Sequence, residues 1–174
     1  MEVIPAILID SKSFSKGNLR VDIEDALVNK KLKLITSKGT LLDDELQAAS
    51  MKFYIDLSRA RVILSVCKVS VTQKINQFTN KISITSDDPH VLAVAVTSAA
   101  TVLVSDDKDL ANDFRASKNY DTAFDCVTNP CLKGNRTRKI IRRTTSQNDV
   151  NRFLALAVCR SLECPCIKSE VRRC

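Results

Sequence analysis

The stretch SDDPHVLAVAVTSAATVLVSDDKDLANDF, residues 86–114, decides the fold, because it contains a helix, a strand and the start of a second helix in direct succession. Asp88 and Pro89 form a favourable helix start, since Asp is a preferred N-cap and Pro fits the first helical position. The almost wholly apolar run that follows predicts a helix packed closely against a sheet. TVLVS, residues 101–105, predicts a buried strand, and Asp107 opens the next helix. Strands that alternate with helices imply right-handed βαβ units and a parallel sheet covered on both faces.

Shorter patterns supply the other strands and helices of residues 1–115. VIPAILI, residues 3–9, predicts a buried parallel strand, with Pro5 near its start, where proline is tolerated. LKLIT, residues 32–36, predicts a second strand. Apolar positions at helical spacing predict further helices over residues 21–29, from residue 41 onwards and over 53–64. Residues 66–78 fit either a strand or a helix. The fold class is therefore α/β.

The sequence changes character beyond the last of these helices. Residues 116–135 are polar and predict a loop or linker, RKIIRR at 138–143 predicts an edge strand, and residues 149–162 predict a short helix. We therefore expect an α/β domain over 1–115 and a basic, cysteine-containing C-terminal extension over 116–174 that packs partly on the domain.

Composition bears on the cellular location of the protein, on the state of its cysteines and on the cofactors that it can bind. No run of 18 apolar residues occurs that could span a membrane, and Asp10 interrupts the first apolar segment too early for a secretion signal. We expect a soluble cytoplasmic protein with no membrane partner. Its seven cysteines are then expected to be reduced thiols, and the spacing around Pro165 does not fit a zinc ribbon. Only three glycines are present, which disfavours the glycine-rich loops that bind nucleotide cofactors.

Charge indicates a polyanionic partner. The net charge of +7 coexists with tight acidic clusters at residues 43–45, 87–88 and 106–107. A basic body with local carboxylate clusters is what a metal-dependent enzyme on nucleic acid requires. His90 is the only histidine, which excludes His-rich metal sites. We expect it to pack or cap, and the alternative is that it orients Asp88.

Three aspartates are expected to meet at one edge of the sheet. A helix from Asp88 to about Ala99 is about 18 Å long, and a strand over 101–105 is about 17 Å long, so the two lengths nearly cancel. Asp88 therefore returns to the edge at which Asp107 follows its strand. Asp10 also follows the carboxyl end of a strand, and ligands of open α/β sheets bind at that edge.

Carboxylates gathered in this way repel one another unless a cation bridges them. Mg²⁺ or Mn²⁺, which prefer hard oxygen ligands, is the expected occupant. The alternative is that Asp88 and Asp107 merely cap their helices. Asp10 does not fit that alternative, because no helix is predicted to start directly after it.

These residues resemble the PIN domain superfamily of nucleases. The resemblance is carried by the apolar strand that ends in Asp10, by DPHVLAVAV, and by TVLVSDDKDL with a trailing DF, and it covers residues 3–115. It is greatest for bacterial PIN proteins, including the toxins of toxin–antitoxin pairs. The resemblance implies a three-layer α/β/α sandwich, Mg²⁺- or Mn²⁺-dependent cleavage of single-stranded RNA, an antitoxin protein as a partner, and a homodimer.

The resemblance also assigns site residues. The motifs identify three metal ligands: Asp10, Asp88 and Asp107. Asp109 is expected to support the site. The fourth acidic residue is assigned to Glu45, with Asp43 or Asp44 as alternatives. The sequence departs from the family at Lys12, where family members commonly have Asn, so that Lys12 either contacts phosphate or marks an altered activity.

Basic residues supply candidate contacts to an RNA backbone. Those near the first aspartate are Lys12, Lys16 and Arg20. Those of the C-terminal extension are Lys133, Arg136, Arg138, Lys139, Arg142 and Arg143. The alternative for the second group is a solvated basic loop.

The function expected from these features is that of a metal-dependent endoribonuclease. Activated water would attack the phosphodiester and leave a 5′-phosphate and a 3′-hydroxyl. A non-cleaving PIN-like module that binds nucleic acid or protein is the alternative. A DNA-processing relative of the flap-endonuclease type is less favoured, because the chain is small for DNA-clamping elements.

Overall fold

A computed structural model describes residues 4–15, 17–81, 84–117 and 138–156, without the side chains of 79–81 and 156. Five strands form one sheet in which every neighbouring pair is parallel, in the order β3-β2-β1-β4-β5. In chain order the strands are β1 (Ala6–Ile9), β2 (Lys33–Thr36), β3 (Ile63–Ser65), β4 (Val102–Val104) and β5 (Lys139–Ile141).

Eight helices lie in the described ranges, and with the sheet they form the predicted three-layer α/β/α sandwich. They are α1 (Ser11–Phe14), α2 (Val21–Val28), α3 (Leu41–Ala49), α4 (Met51–Arg59), α5 (Lys68–Lys81), α6 (Pro89–Thr97), α7 (Lys108–Ala116) and α8 (Gln147–Leu156). None of these helices is both long enough and apolar enough to cross a membrane.

The strand order places a topological switch point beside β1. The chain passes from β1 to β2 and β3 on one side, and then returns to place β4 and β5 on the other side. Ile7 lies opposite Leu34 of β2, and Ile9 lies opposite Val104 of β4. The carboxyl ends of β1 and β4 therefore flank the crevice at which ligands of open α/β sheets bind.

The apolar runs of the sequence form the buried core of the sheet and of the helix that covers it. All four residues of β1 and all three of β4 are buried, as expected for parallel strands covered on both faces. Every residue of α6 from His90 to Val96 is buried as well. The helix that precedes β4 therefore packs closely on the sheet, as its nearly continuous apolar sequence predicts.

Two local predictions are corrected. The helix predicted over 53–64 is wrong at its end, because α4 ends at Arg59 and β3 begins at Ile63. Arg61 adopts a left-handed φ of 59°, which terminates the helix. The expectation that no helix follows Asp10 is also wrong, because α1 starts directly after it. The segment 66–78, which was ambiguous, belongs to α5 except at its first two residues.

The C-terminal extension contributes to the sheet. β5 is the predicted edge strand, and it pairs with β4 through Leu103 and Ile140. The helix predicted over 149–162 is present as α8 as far as residue 156, and its remainder lies outside the described residues, as does most of the linker predicted at 116–135. The sheet therefore includes a strand from the chain beyond residue 115.

Cys67 is buried and disulfide-bonded, so the expectation of reduced thiols is wrong for this residue. The other six cysteines lie outside the described part of the chain. Lys16, Lys133 and Arg136, which were predicted to contact RNA, also lie outside it.

Candidate active site

The carboxyl ends of β1 and β4 bring Asp10 and Ser105 together. The backbone N–H of Asp10 donates to the carbonyl of Val104 at 3.0 Å, which continues the strand pairing by one residue. The Ser105 hydroxyl then donates to Oδ2 of Asp10 at 3.1 Å. Both side chains are buried, and only 3% of Asp10 is exposed. A buried carboxylate is thus held at the carboxyl end of β1, beside the topological switch point.

The surroundings of Asp10 oppose its ionisation. Burial raises the pKa of the Asp10 carboxyl, and the nearby charge of Asp88 raises this pKa further. Hydrogen bonds from the Ser105 hydroxyl and from the backbone N–H of Lys12 act in the opposite direction without cancelling the effect of burial. The bond from Lys12 is long, at 3.4 Å, so Asp10 caps α1 only weakly.

Asp107 caps α7 and is linked to Asp10 through one residue. Its Oδ1 accepts from the backbone N–H of Asp109 at 2.8 Å and from that of Leu110 at 2.9 Å. Its own backbone N–H donates to the Ser105 hydroxyl at 3.1 Å. The capping role considered for Asp107 is therefore real, and the shared Ser105 hydroxyl connects this residue to the carboxylate of Asp10.

Asp88 behaves differently from Asp107. It occupies the N-cap position of α6, but its side chain makes no capping hydrogen bond. Its carboxylate is partly exposed and is close enough to Asp10 to raise the pKa of that residue. Simple capping therefore does not account for Asp88. The predicted return of the α6 start to the carboxyl edge of the sheet is consistent with this proximity.

A second carboxylate of α7 holds the segment before Asp88. Oδ2 of Asp113 accepts from the backbone N–H groups of Thr85 at 2.8 Å and Ser86 at 2.7 Å. The sequence motifs assign no role to Asp113, which belongs to the trailing DF. A signal was present: Asp113 lies among the buried residues of an amphipathic helix, beside Phe114, and a buried carboxylate requires partners.

Glu45 and His90 form a pair between α3 and α6. Nε2 of His90 lies 3.1 Å from Oε2 of Glu45. The histidine is 4% exposed, whereas Glu45 is partly exposed. His90 therefore packs, as expected, but it also fixes the residue assigned as the fourth acid. This contact ties Glu45 to the helix that begins beside Asp88.

Asp43 and Asp44, the alternatives to Glu45 as the fourth acidic residue, differ from it in burial and in hydrogen bonding. Asp43 is buried and accepts hydrogen bonds from the backbone N–H of Gly39 at 3.0 Å, from Gln47 at 3.2 Å and from the Tyr54 hydroxyl. Burial and this carboxylate raise the pKa of Tyr54. Asp43 is thus a structural anchor at the start of α3. Asp44 is exposed.

The predicted ligands do not form a finished metal site. Among the residues that the structure describes, no group of three or more His, Cys, Asp or Glu side chains lies close enough to hold a metal ion. Asp10 interacts electrostatically with Asp88 and is bridged to Asp107 by Ser105. Asp109 is exposed in the first turn of α7.

Two of the predicted RNA contacts are engaged inside the protein. The Arg20 guanidinium pairs with Asp22 at 3.1 Å and donates to the carbonyls of the turn after β5, including that of Arg143 at 2.9 Å. Arg138 is 5% exposed, donates to the carbonyl of Ala100 at 2.8 Å and lies over the ring of Phe114. Both residues hold the C-terminal strand in place.

The other basic residues are more accessible. Lys12, two residues after the buried Asp10, is exposed, while Lys139 and Arg142 are partly buried in β5 and the turn that follows it. Arg143 is exposed, and its Nε lies 3.2 Å from Oδ2 of Asp106. Among the described residues that were predicted to contact phosphate, Lys12 and Arg143 are exposed, and Lys12 is the one close to Asp10 in the sequence.

The chain matches no protein-family model, no curated protein and no solved structure.

Proposed function

We propose that the protein is a Mg²⁺- or Mn²⁺-dependent endoribonuclease of the PIN type, which hydrolyses phosphodiesters in single-stranded RNA. One observation carries the proposal: the Asp10 carboxyl is 3% exposed at the switch point, and its pKa is raised by burial and by the charge of Asp88. Two neighbouring carboxylates in such a place favour a bound cation, which removes their repulsion. The crevice is also where the fold class binds its ligands.

The donor types of the predicted ligands suit a hard divalent cation. Asp10 and Asp88 supply carboxylate oxygens, which Mg²⁺ and Mn²⁺ prefer over nitrogen or sulfur. Both capping bonds of Asp107 are accepted by Oδ1, so capping does not occupy the second carboxylate oxygen, Oδ2. These three residues would hold the cation. Glu45 would act with them, oriented by its contact with His90.

The chain's own side chains would prepare the site for RNA. When bound, Mg²⁺ or Mn²⁺ supplies a Lewis acid that activates water and offsets the charge of the phosphodiester. Ser105 holds Asp10 in place, as partners of metal ligands commonly do. Lys12 lies two residues after Asp10, and Lys108 directly follows Asp107; both lysines are exposed and would attract phosphates to the crevice.

The proposal is tested with labelled single-stranded RNA and Mn²⁺. Asp10→Asn and Asp88→Asn should each lower the cleavage rate by roughly 100-fold or more, because losing even a partner of a metal ligand costs about 10–100-fold. Asp56→Asn, which changes an exposed aspartate of α4 in the same way, is the matched control. Undiminished manganese-dependent cleavage by both site variants would refute the proposal.

A second candidate is a module that binds RNA without cleaving it. It is favoured by the engagement of Asp107 in capping and by the lack of a three-donor group in the described residues. Such a module would bind RNA equally well in EDTA and would never shorten it. A toxin–antitoxin role and a homodimer remain predictions of the resemblance alone.

A further inference from the structure

Asp107, the N-cap of α7, and Asp113, within the helix, have separate tasks. Asp107 caps the first turn of the helix and is linked to Asp10 through Ser105. Asp113 lies six residues further on, about 9 Å along the helix axis. It faces the protein interior, where it is 6% exposed. One rigid element therefore contacts both the β1–β4 crevice and the segment that leads to Asp88.

The contact made by Asp113 is specific. A single oxygen, Oδ2, accepts two consecutive backbone N–H groups, from Thr85 at 2.8 Å and from Ser86 at 2.7 Å. Burial of a carboxylate destabilises the folded protein unless the carboxylate is hydrogen-bonded. The two bonds to Asp113 offset this destabilisation. The carboxylate fixes the backbone of residues that lie outside any helix or strand.

Asp88 lies between two fixed points. Ser86, held by Asp113, is two residues before it, and Pro89 starts α6 immediately after it. The helix is fixed in turn, because its residues from His90 onwards are buried. Only Asp87 separates the anchored Ser86 from Asp88, so a movement of the anchor is transmitted to Asp88.

We propose that Asp113 is a positioning residue that holds Asp88 beside Asp10, so that α7 sets the separation of the carboxylates in the crevice. The inference rests on the proposed function, because it treats these carboxylates as the cation site. Asp113 itself contacts neither the cation nor RNA. It acts through Thr85 and Ser86.

The first test measures the anchor without any metal. In Asp113→Asn, NMR hydrogen exchange of the Thr85 and Ser86 amides should accelerate at least about 10-fold more than that of amides in β1, because an amide oxygen is a weaker acceptor than a carboxylate. The backbone shifts of Asp88 should also move. If the Asp88 shifts match those of the unaltered protein, the inference is overturned.

The second test measures Mn²⁺ binding by calorimetry. Asp113→Asn should weaken Mn²⁺ affinity by about 10–100-fold, the usual effect of losing a residue that orients a ligand. Leu27→Ala, a cavity substitution in α2 that also lowers the melting temperature, is the control. It should leave the affinity within about 2-fold, because it destabilises the fold without touching the anchor. Equal affinity losses in both variants would show a merely structural role and overturn the inference.

The two tests separate failure of the inference from failure of the proposed function. If the unaltered protein binds no Mn²⁺, the proposed function fails, and displaced Asp88 shifts in Asp113→Asn still support the positioning role. If Asp113→Asn does not fold, Asp113→Glu replaces it, because that variant keeps the charge but moves the oxygens by one methylene. The same exchange and affinity changes are then expected, and their absence overturns the inference.

Discussion

The hydroxyl of Ser105 donates a hydrogen bond to Oδ2 of Asp10 at 3.1 Å and joins two residues that are 95 positions apart in the chain. The same hydroxyl accepts from the backbone N–H of Asp107 at 3.1 Å. A single buried oxygen thus connects the ends of β1 and β4 and the start of α7. Because a hydroxyl both donates and accepts, serine suits this position, and alanine would break both links.

Ser105→Ala should destabilise the protein by about 1–3 kcal/mol, because it leaves buried polar partners unsatisfied. It should also raise the pKa of Asp10 further, since the Ser105 hydrogen bond is the largest of the effects that lower it. Urea unfolding at pH 7 measures the loss of stability. Ser58→Ala, at an exposed position of α4, is the control. Equal unfolding midpoints for the two variants would contradict the structural role of the hydroxyl.

Asp10→Asn should stabilise the metal-free protein at neutral pH. Burial, followed by the charge of Asp88, raises the pKa of Asp10 above its usual value of 3.8. The contribution of Asp10 to stability is therefore fully present below about pH 3.8, and it is lost as the pH rises through the folded-state pKa. Asparagine keeps the shape without the charge. The advantage of the variant should thus appear at pH 7 and disappear towards acid pH.

Urea unfolding in EDTA between pH 3.5 and 7.5 measures this difference. Asp25→Asn, at an exposed position of α2, is the matched control and should show no comparable rise. A variant that is less stable than the unaltered protein at pH 7, in the absence of metal, would show that the buried charge carries no penalty. Loss of RNA cleavage together with gained stability would fit a site whose charge serves function.

Hydrophobic patterning predicted most of the fold. The apolar run before Asp10 and the TVLVS segment both form buried strands, as expected for short apolar runs in a parallel sheet that is covered on both faces. The strand order did not follow from pattern alone. The short α1 was missed because a four-residue helix has no periodicity to detect, and β3 was read as helix because its three residues follow α4 so closely.

The candidate site was predicted less completely. Chain lengths predicted that Asp88 would lie near Asp10, and the charge of Asp88 raises the pKa of Asp10, but the hydrogen bonds of these carboxylates involve groups that are distant in the sequence. The roles of Ser105 and Asp113 are of this kind. Arg138 was predicted to contact RNA or to lie in a solvated loop because it belongs to a basic run, yet the residue is 5% exposed beside β5. A charged residue in the sequence predicts an exposed side chain only where no carbonyl group or aromatic ring of the folded protein binds that side chain.

Arg20→Lys should destabilise the protein by about 1.5–3 kcal/mol, the range for hydrogen bonds to charged groups. The guanidinium contacts Asp22 and several carbonyls after β5 at once, and a single ammonium cannot span both sets. Since the net charge is unchanged, RNA affinity should change little. Thermal unfolding measures the loss, and Arg59→Lys, at an exposed site on α4, is the control. A destabilisation no larger than that of the control would contradict the proposed anchoring.

In contrast to Arg20→Lys, Lys12→Gln should change RNA binding and leave stability nearly unchanged, because Lys12 is exposed and its side chain anchors no described segment. Its stability should stay within about 0.5 kcal/mol of the unaltered protein, as is usual at the surface. If Lys12 contacts a phosphate, the slope of log affinity for single-stranded RNA against log salt should fall by about 0.7–1.

Fluorescence anisotropy with labelled RNA at several salt concentrations measures the slope for Lys12→Gln. Lys31→Gln is the matched control, because Lys31 is an exposed lysine just before β2, at the opposite edge of the sheet from Asp10. The charge of Lys12 also lowers the pKa of Asp10, so removing that charge should leave the repulsion between Asp10 and Asp88 less compensated. Identical salt slopes for the two variants would place the RNA away from the β1–β4 crevice, and the proposed path of the phosphates past Asp10 would then be wrong.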